Sequence, residues 1–390
     1  MSSEAIEYTE ITPFAVASDG QAQPRVFGSP SRYVQGDGVI DQAGHYLHRL
    51  GMRRSAVLLS NRSQENEGQR LIASAHEAGI SLEILTFNGE CSYEEVDGHV
   101  AAVAALGAPI DSVIAVGGGK VVDAGRAISR RLDLPVAIVP TLASNDAPCA
   151  AVSVMYTPEG VTADAEVYDV SPALVLVDSG IIAAAAPRYL AAGMGDALAT
   201  WYEARASANN PTGVNVFGGR PTLAGTALAQ LCADTIYTHG EAALDAVEQS
   251  TVNEALEHII EANTLLSGLG YESGGLAVCH ALAQGYTVVD AVHRSYLHGE
   301  MVAMGVTAQL MLEKEATEAE KAARFFRSVG LPVRLEEIGL SRAHEKELED
   351  IVAGAMAFPF VENMPFEVSA EALMQAVLAA HDLGCSVSER

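Results

Sequence analysis

Residues 112–123 read Ser-Val-Ile-Ala-Val-Gly-Gly-Gly-Lys-Val-Val-Asp, an apolar run of strand length that ends on three glycines and enters a segment of helical period. Glycine has no Cβ, so a backbone built from it turns tightly and comes close to a ligand. The amides exposed there, with the positive end of the following helix dipole, favour an anion. In an open parallel sheet that place, beyond the carboxyl end of a strand, is where ligands sit. Alone, the run would also serve as a tight strand-to-helix turn, since it is neither a Walker loop nor a G-x-G-x-x-G fingerprint.

Outward from this stretch the same texture repeats. Ser55–Leu59, Leu82–Thr86, Leu134–Val139 and Ala173–Val177 are further short apolar runs, and Glu67–Ala78, Tyr93–Leu106 and Lys120–Arg131 have helical period. That alternation predicts a parallel, doubly wound sheet, covered on both faces because its strands are almost continuously apolar. From about Pro187 the texture changes to long Ala/Leu/Glu-rich stretches: Arg188–Ala206, Leu223–His239, Ala242–Leu266 and Glu300–Glu315. The expected organisation is an N-terminal extension over 1–25, an α/β nucleotide-binding domain with the doubly wound sheet over 26–187, and an all-α metal- and substrate-binding domain over 188–390.

A chain of 390 residues exceeds what one hydrophobic core usually organises. None of its apolar runs reaches the roughly 18 residues that cross a bilayer, and its start lacks the basic-then-apolar texture of a signal peptide. A cytoplasmic protein is expected. The formal charge of −27 repels phosphate backbones and anionic lipid, which argues against nucleic-acid and membrane partners. It also means that an anionic cofactor must be held locally, by backbone amides. The five cysteines are odd in number with no C-x-x-C, which argues against a disulfide framework or a thiolate zinc site.

Three places carry candidate chemistry. The loop Pro140–Cys149 follows an apolar strand with small residues, two hydroxyls and one carboxylate. It suits contacts to a nicotinamide, with Asp146 aimed at a substrate hydroxyl, although Asp146 or Ser144 would also serve as a turn or helix cap. Asp196 lies in an apolar helical segment, where an unpaired carboxylate is costly to bury. His280 is likewise surrounded by small and apolar residues, and His298 opens His298-Gly299-Glu300. One carboxylate and two imidazoles suit Zn²⁺ or Fe²⁺. Taken singly, each histidine would also serve as a hydrogen-bonded core residue.

Together these segments resemble the glycerol dehydrogenase branch of the iron-containing (family III) alcohol dehydrogenases. The resemblance runs collinearly over roughly residues 26–380. It takes in Ser29–Gly36, Phe87–Cys91, the Gly-Gly-Gly-Lys loop, Ser144–Cys149, Gly195–Ala204, Leu269–Gly275, His298-Gly299-Glu300 and Asn363–Pro365. It implies a dehydroquinate synthase-like architecture and the metal-dependent oxidation of glycerol, or a related small polyol, to the ketone with NAD or NADP as hydride acceptor. By the same resemblance Asp196, His280 and His298 hold the metal, and Asp146 bonds a substrate hydroxyl. Gly117, Gly118, Gly119, Lys120, Val121, Val122 and Asp123 hold the cofactor pyrophosphate. Thr141, Leu142, Ala143, Ser144, Val152 and Tyr156 meet its nicotinamide half, and Ser60 its adenosine ribose. Relatives of this kind form homo-oligomers, often octamers.

The departures from the family pattern are informative. Iron-using members place a histidine where this chain has Thr200, which favours zinc over iron. NAD-preferring members commonly place an aspartate at the end of the first strand, where this chain reads Ser60-Asn61-Arg62. A carboxylate would repel a 2′-phosphate, whereas these three residues can receive one, so acceptance of NADP(H) is expected. Asn145, Ala150 and Ala283 also depart, which leaves open NADP-linked 1,2-diol or 2-hydroxy acid/2-ketoacid chemistry on the same frame. A sugar-phosphate-cyclising lyase shares the architecture but needs several cations about its phosphate, and of the lysines only Lys120 falls near the site.

Overall fold

The computed structural model describes residues 14–388. The expected N-terminal extension lies outside the described residues over 1–13. Its described part, 14–25, runs along the loop 215–221: Ala15 N–H donates to Phe217 O at 3.0 Å, and Arg220 N–H to Pro24 O at 2.8 Å.

Six strands form one parallel sheet: β1 (Tyr33–Gly36), β2 (Arg54–Ser60), β3 (Ser81–Phe87), β4 (Ser112–Gly117), β5 (Val136–Pro140) and β8 (Leu174–Asp178), in the order β1-β8-β5-β4-β2-β3. Two more, β6 (Val152–Tyr156) and β7 (Thr162–Val167), make a separate antiparallel hairpin. The chain winds from β2 out to β3 and returns to the other side of β2 as β4, so the winding reverses between β2 and β4. A crevice opens at the carboxyl ends of such a pair.

The apolar runs become strands because both sheet faces are covered. Val57, Leu59, Ile114, Val116, Ala137 and Val139 pack with Leu47 and Leu71 of two helices, α1 (Ala43–Arg49) and α3 (Glu67–Glu77), the latter preceded by the short α2 (Asn61–Glu65). The alternate residues Leu58, Val113, Ala115, Ile138 and Val175 face the other way. There they meet α4 (Tyr93–Ala104) and α5 (Gly119–Arg131). That second core continues without a break into the helical half, which begins after α6 (Ser179–Ala183) with α7 (Pro187–Asn209). All five thiols are free, and no helix among the described residues is long and apolar enough to cross a membrane.

One expected boundary moves. In place of helices over Leu223–His239 and Ala242–Leu266, α8 runs unbroken over Leu223–Glu248. Gly240 is a packing residue, not a break: a Cβ there would meet the Phe325 ring at 2.7 Å. The chain turns at Ser250, φ 50°, and resumes as α9 (Glu254–Glu261), a π turn (Ala262–Leu266) and α10 (Ser267–Gly274). Next come α11 (Val278–Tyr286), α12 (Asp290–Ser295) and α13 (His298–Leu312), then α14 (Ala316–Ser328), α15 (Glu345–Met356) and α16 (Ala370–Ser388).

Candidate active site

Asp196 sits on α7, wholly buried, and glycines just before it on α7 and at Gly299 on α13 let other backbones come close. A Cβ on Gly195 would lie 2.5 Å from Gly299 O, and one on Gly299 would lie 1.8 Å from Ala192 O. The helices α7 and α13 therefore cross backbone to backbone, and the crossing sets His298, the first residue of α13, beside Asp196. A Cβ on Gly193 would meet Ala143 O at 2.0 Å, so the loop after β5 also rests directly on α7. The first turn of α11 supplies His280.

Asp196 Oδ1 stands 3.3 Å from His280 Nε2 and 3.4 Å from His298 Nε2 without a hydrogen-bond partner. Its Oδ2 accepts the Asp146 N–H at 3.2 Å. A buried carboxylate oxygen facing two imidazole nitrogens and bonded to neither is an arrangement that a cation completes. The side chain of His298 is about half exposed (48%), so the group opens outward on that side.

Glu203, which the sequence reading did not single out, holds His280. It lies two turns beyond Asp196 on the same face of α7 and is wholly buried. Its Oε2 is 2.5 Å from His280 Nδ1, and its Oε1 accepts the N–H groups of Ala277 and His280 at 2.8 and 2.9 Å. Donation of Nδ1–H to a carboxylate leaves the Nε2 lone pair turned toward Asp196 and fixes the ring. The available signal was a glutamate in a buried helix at the seven-residue spacing that shares a face.

Burial, reinforced by Asp196, pushes the Asp146 carboxyl well above the usual carboxylate range. Burial alone would raise Asp196 too, but His298 and His280 outweigh it and hold that carboxyl below its ordinary value. Burial opposes the charged form of His280, yet Glu203 and Asp196 hold its pKa well above the ordinary histidine value. Thr200, one turn past Asp196, points its hydroxyl at Ser267 Oγ, 2.7 Å away. A second grouping, Glu336 with His381 and Cys385, is less suited to a cation, because His381 Nδ1 already accepts the Leu335 N–H at 3.4 Å.

A cavity of about 550 Å³ crosses the carboxyl ends of β2, β4, β5 and β8. Of the residues expected at the cofactor, Ser60, Gly118, Thr141 and Leu142 line it. Ser60 Oγ also caps α2, accepting the Ser63 N–H at 3.2 Å. Gly118 caps α5, and its carbonyl takes the N–H groups of both Val121 and Val122, so the amides the helix start offers to a phosphate are those ahead of Val121. Val121 and Val122 pack into the core. Asp123 is buried against Arg126, 3.0 Å away, and burial lifts its carboxyl to about 6. Lys120 pairs with Glu90 at 2.7 Å and lies over the ring of Tyr156, which with Val152 stands half-buried on β6. Gly117 ends β4, where its carbonyl takes the Thr141 N–H. A Cβ on Gly119 would strike Asn145 at 2.7 Å, so the loop carrying Ala143, Ser144 and Asp146 closes onto the glycine run. The cavity also holds two guanidinium groups: Arg70 is engaged by Asp41 at 2.8 Å, while Arg62 is exposed and pairs with no carboxylate among the described residues.

Known proteins are similar to this chain in sequence and in fold. The family model for iron-containing alcohol dehydrogenases matches residues 30–179. The chain is 40% identical to a glycerol dehydrogenase of Escherichia coli, over 92% of this chain and 97% of that protein. It is also 40% identical to a glycolaldehyde reductase of Halobacterium salinarum, over 94% and 99%. The crystal structure of a probable glycerol dehydrogenase from Sinorhizobium meliloti superposes with a TM-score of 0.86 at 37% identity, over 93% of this chain and 99% of that one.

Proposed function

The chain belongs to the iron-containing alcohol dehydrogenase family, an oxidoreductase family that implies a metal and a nicotinamide cofactor, and from that premise we propose a zinc-dependent oxidation of glycerol or a closely related vicinal diol to the ketone with NAD(P)⁺. The observation that carries the proposal is the spacing around Asp196. Ligand atoms about 2.0–2.1 Å from a tetrahedral zinc stand about 3.4 Å from one another, and the two imidazole nitrogens lie 3.3 and 3.4 Å from Asp196 Oδ1. Thr200, its hydroxyl turned to Ser267, adds no fourth protein donor.

When bound, the zinc supplies Lewis acidity that lowers the pKa of an alcohol hydroxyl. Asp196, His280 and His298 would hold it, and Glu203 would keep His280 in the binding tautomer. Asp146 accepts a hydrogen bond from a second substrate hydroxyl and so orients the diol. A nicotinamide bound in the cavity would serve as the acceptor of the hydride that the carbinol carbon loses, with the proton leaving to solvent. The charged groups about this corner are carboxylates, and the nearby Arg126 is engaged by Asp123 and by Ala147 O at 2.6 Å. Apart from the metal itself, a 2-hydroxy acid would find no uncommitted side-chain cation here to pair with its carboxylate, which favours neutral polyols. The unpaired Arg62, with no acid at the end of β2, supports use of NADP(H). We also propose a cytoplasmic homo-oligomer, to be tested by light scattering.

The test is absorbance at 340 nm with metal-stripped protein, zinc or ferrous iron restored, glycerol, and NAD⁺ or NADP⁺ in parallel. Zinc-restored reduction is expected. Absence of turnover with glycerol and with other vicinal diols overturns the proposal. The likeness to the Halobacterium glycolaldehyde reductase supports a second reading, NADPH-driven reduction of a small hydroxyaldehyde, which the same cuvette run in reverse measures.

A further inference from the structure

Just before α10 the chain runs as a π turn over Ala262–Leu266, a rare geometry found frequently at functional sites. Asn263 of this turn and Ser267 just after it, both wholly buried, reach the loop between β5 and β6. Asn263 Nδ2 donates to Ala143 O at 3.0 Å and to Leu190 O at 3.2 Å, tying the loop to α7. Ser267 Oγ donates to Asp146 Oδ2 at 2.8 Å. A hydroxyl has one proton, so in the 2.7 Å pair between Ser267 and Thr200 the donor is Thr200. The order Thr200, Ser267, Asp146 is thereby a directed chain.

Asp146 is held at two points: its N–H by Asp196 Oδ2 and its Oδ2 by Ser267. Its Oδ1 takes no hydrogen bond from the described residues, and it is not among the sealed, unpartnered oxygens of the interior. We propose that Ser267 is a specificity-determining positioning residue: it fixes the Asp146 rotamer so that Oδ1 meets the second hydroxyl of the substrate, and Thr200 fixes Ser267 in turn. A site preorganised to hydrogen-bond a substrate hydroxyl discriminates strongly for it, and loosening the supporting side chain spends that discrimination. The assignment rests on the reading that Asp146 binds a substrate hydroxyl.

The experiment compares the zinc-loaded wild type with Ser267→Ala, Ser267→Cys, Thr200→Val and Asp146→Asn. The readouts are KM and kcat for glycerol, zinc content after dialysis, and thermal midpoint. Ser267→Ala should raise the KM for glycerol about tenfold with kcat within about threefold and zinc content unchanged, as expected for loss of a buried hydrogen bond that orients a substrate-binding side chain. Ser267→Cys, which keeps the volume and a weaker donor, should fall between alanine and wild type. Thr200→Val, isosteric, should raise KM about twofold and add nothing in the Ser267→Ala background. A wild-type KM in Ser267→Ala beside a raised KM in Asp146→Asn overturns the positioning role and leaves the substrate reading standing. So does a fall in kcat and zinc content at unchanged KM, which would mark a structural hydroxyl. An unchanged KM in Asp146→Asn overturns the substrate reading, and this assignment with it.

Discussion

Asp196, His280 and His298 are set by helix backbones in direct contact, whereas Ser60, Arg62 and the amides at Gly118 stand where strands β2 and β4 pass into the helices α2 and α5, beside an open cavity. The first corner is rigid because it leaves no room: a side chain at Gly299 would have to occupy the place of Ala192 O, and Glu203 locks His280 from behind. The second is a crevice of about 550 Å³ lined in part by backbone groups, where the Arg62 guanidinium is exposed and pairs with no carboxylate among the described residues. A cation needs ligands within tenths of an ångström. A dinucleotide is held by many weaker contacts spread along its length, and any one of them is dispensable. Tolerance to substitution should differ accordingly between the two corners.

The largest effect is expected at the metal corner. His298→Ala should reduce bound metal to a small fraction per chain and turnover by at least about a thousandfold, read by metal analysis and assay. Full metal content in that variant would break the contrast at once. Gly299→Ala should follow, since overpacking two crossed backbones costs about 3 kcal/mol or more. Thermal unfolding should show the lowered midpoint, and metal affinity should fall because α13 must move away from α7.

Glu203→Gln keeps the shape but removes the charge behind His280, so chelator competition should show zinc affinity about 10- to 100-fold weaker in a protein that folds normally. The smallest effect belongs to the open crevice. Arg62→Ala should lower the kcat/KM ratio of NADP⁺ to NAD⁺ about tenfold, as befits one lost charge-assisted contact, with zinc content and thermal midpoint unaltered. An unchanged ratio would mean that the 2′-phosphate, or the choice against it, is decided by other groups lining the cavity.

Much of the sheet was legible because its strands are apolar on both faces, so Val57, Ile114 and Ile138 needed no partner's help to be read as core. The edge strand β1 and the β6–β7 hairpin were not, because Tyr33-Val-Gln-Gly36 is half-buried and takes strand form only by pairing with β8. Gly240 misled the reading of α8 because a glycine between two helical stretches has the same letter whether it ends a helix or makes room for Phe325. At the site, Asp196 was conspicuous as a charge in an apolar helix. Glu203 satisfies the same description yet went unread, since only its contact with His280 gives it a purpose.

The sequence by itself determined the alternation that makes a doubly wound sheet, the glycine run at the end of β4, and the residues able to bind a metal. Those properties are local: hydrophobic period, absence of a Cβ, and the chemistry of a side chain. The tertiary structure alone decided which of them meet. Residues 196, 280 and 298 converge because Gly195 and Gly299 let α7 and α13 touch, Asp146 is held between Asp196 and Ser267, and Asp123 faces Arg126 instead of the cavity. Convergence of distant segments is a property of packing, and packing is settled by which backbones can approach one another.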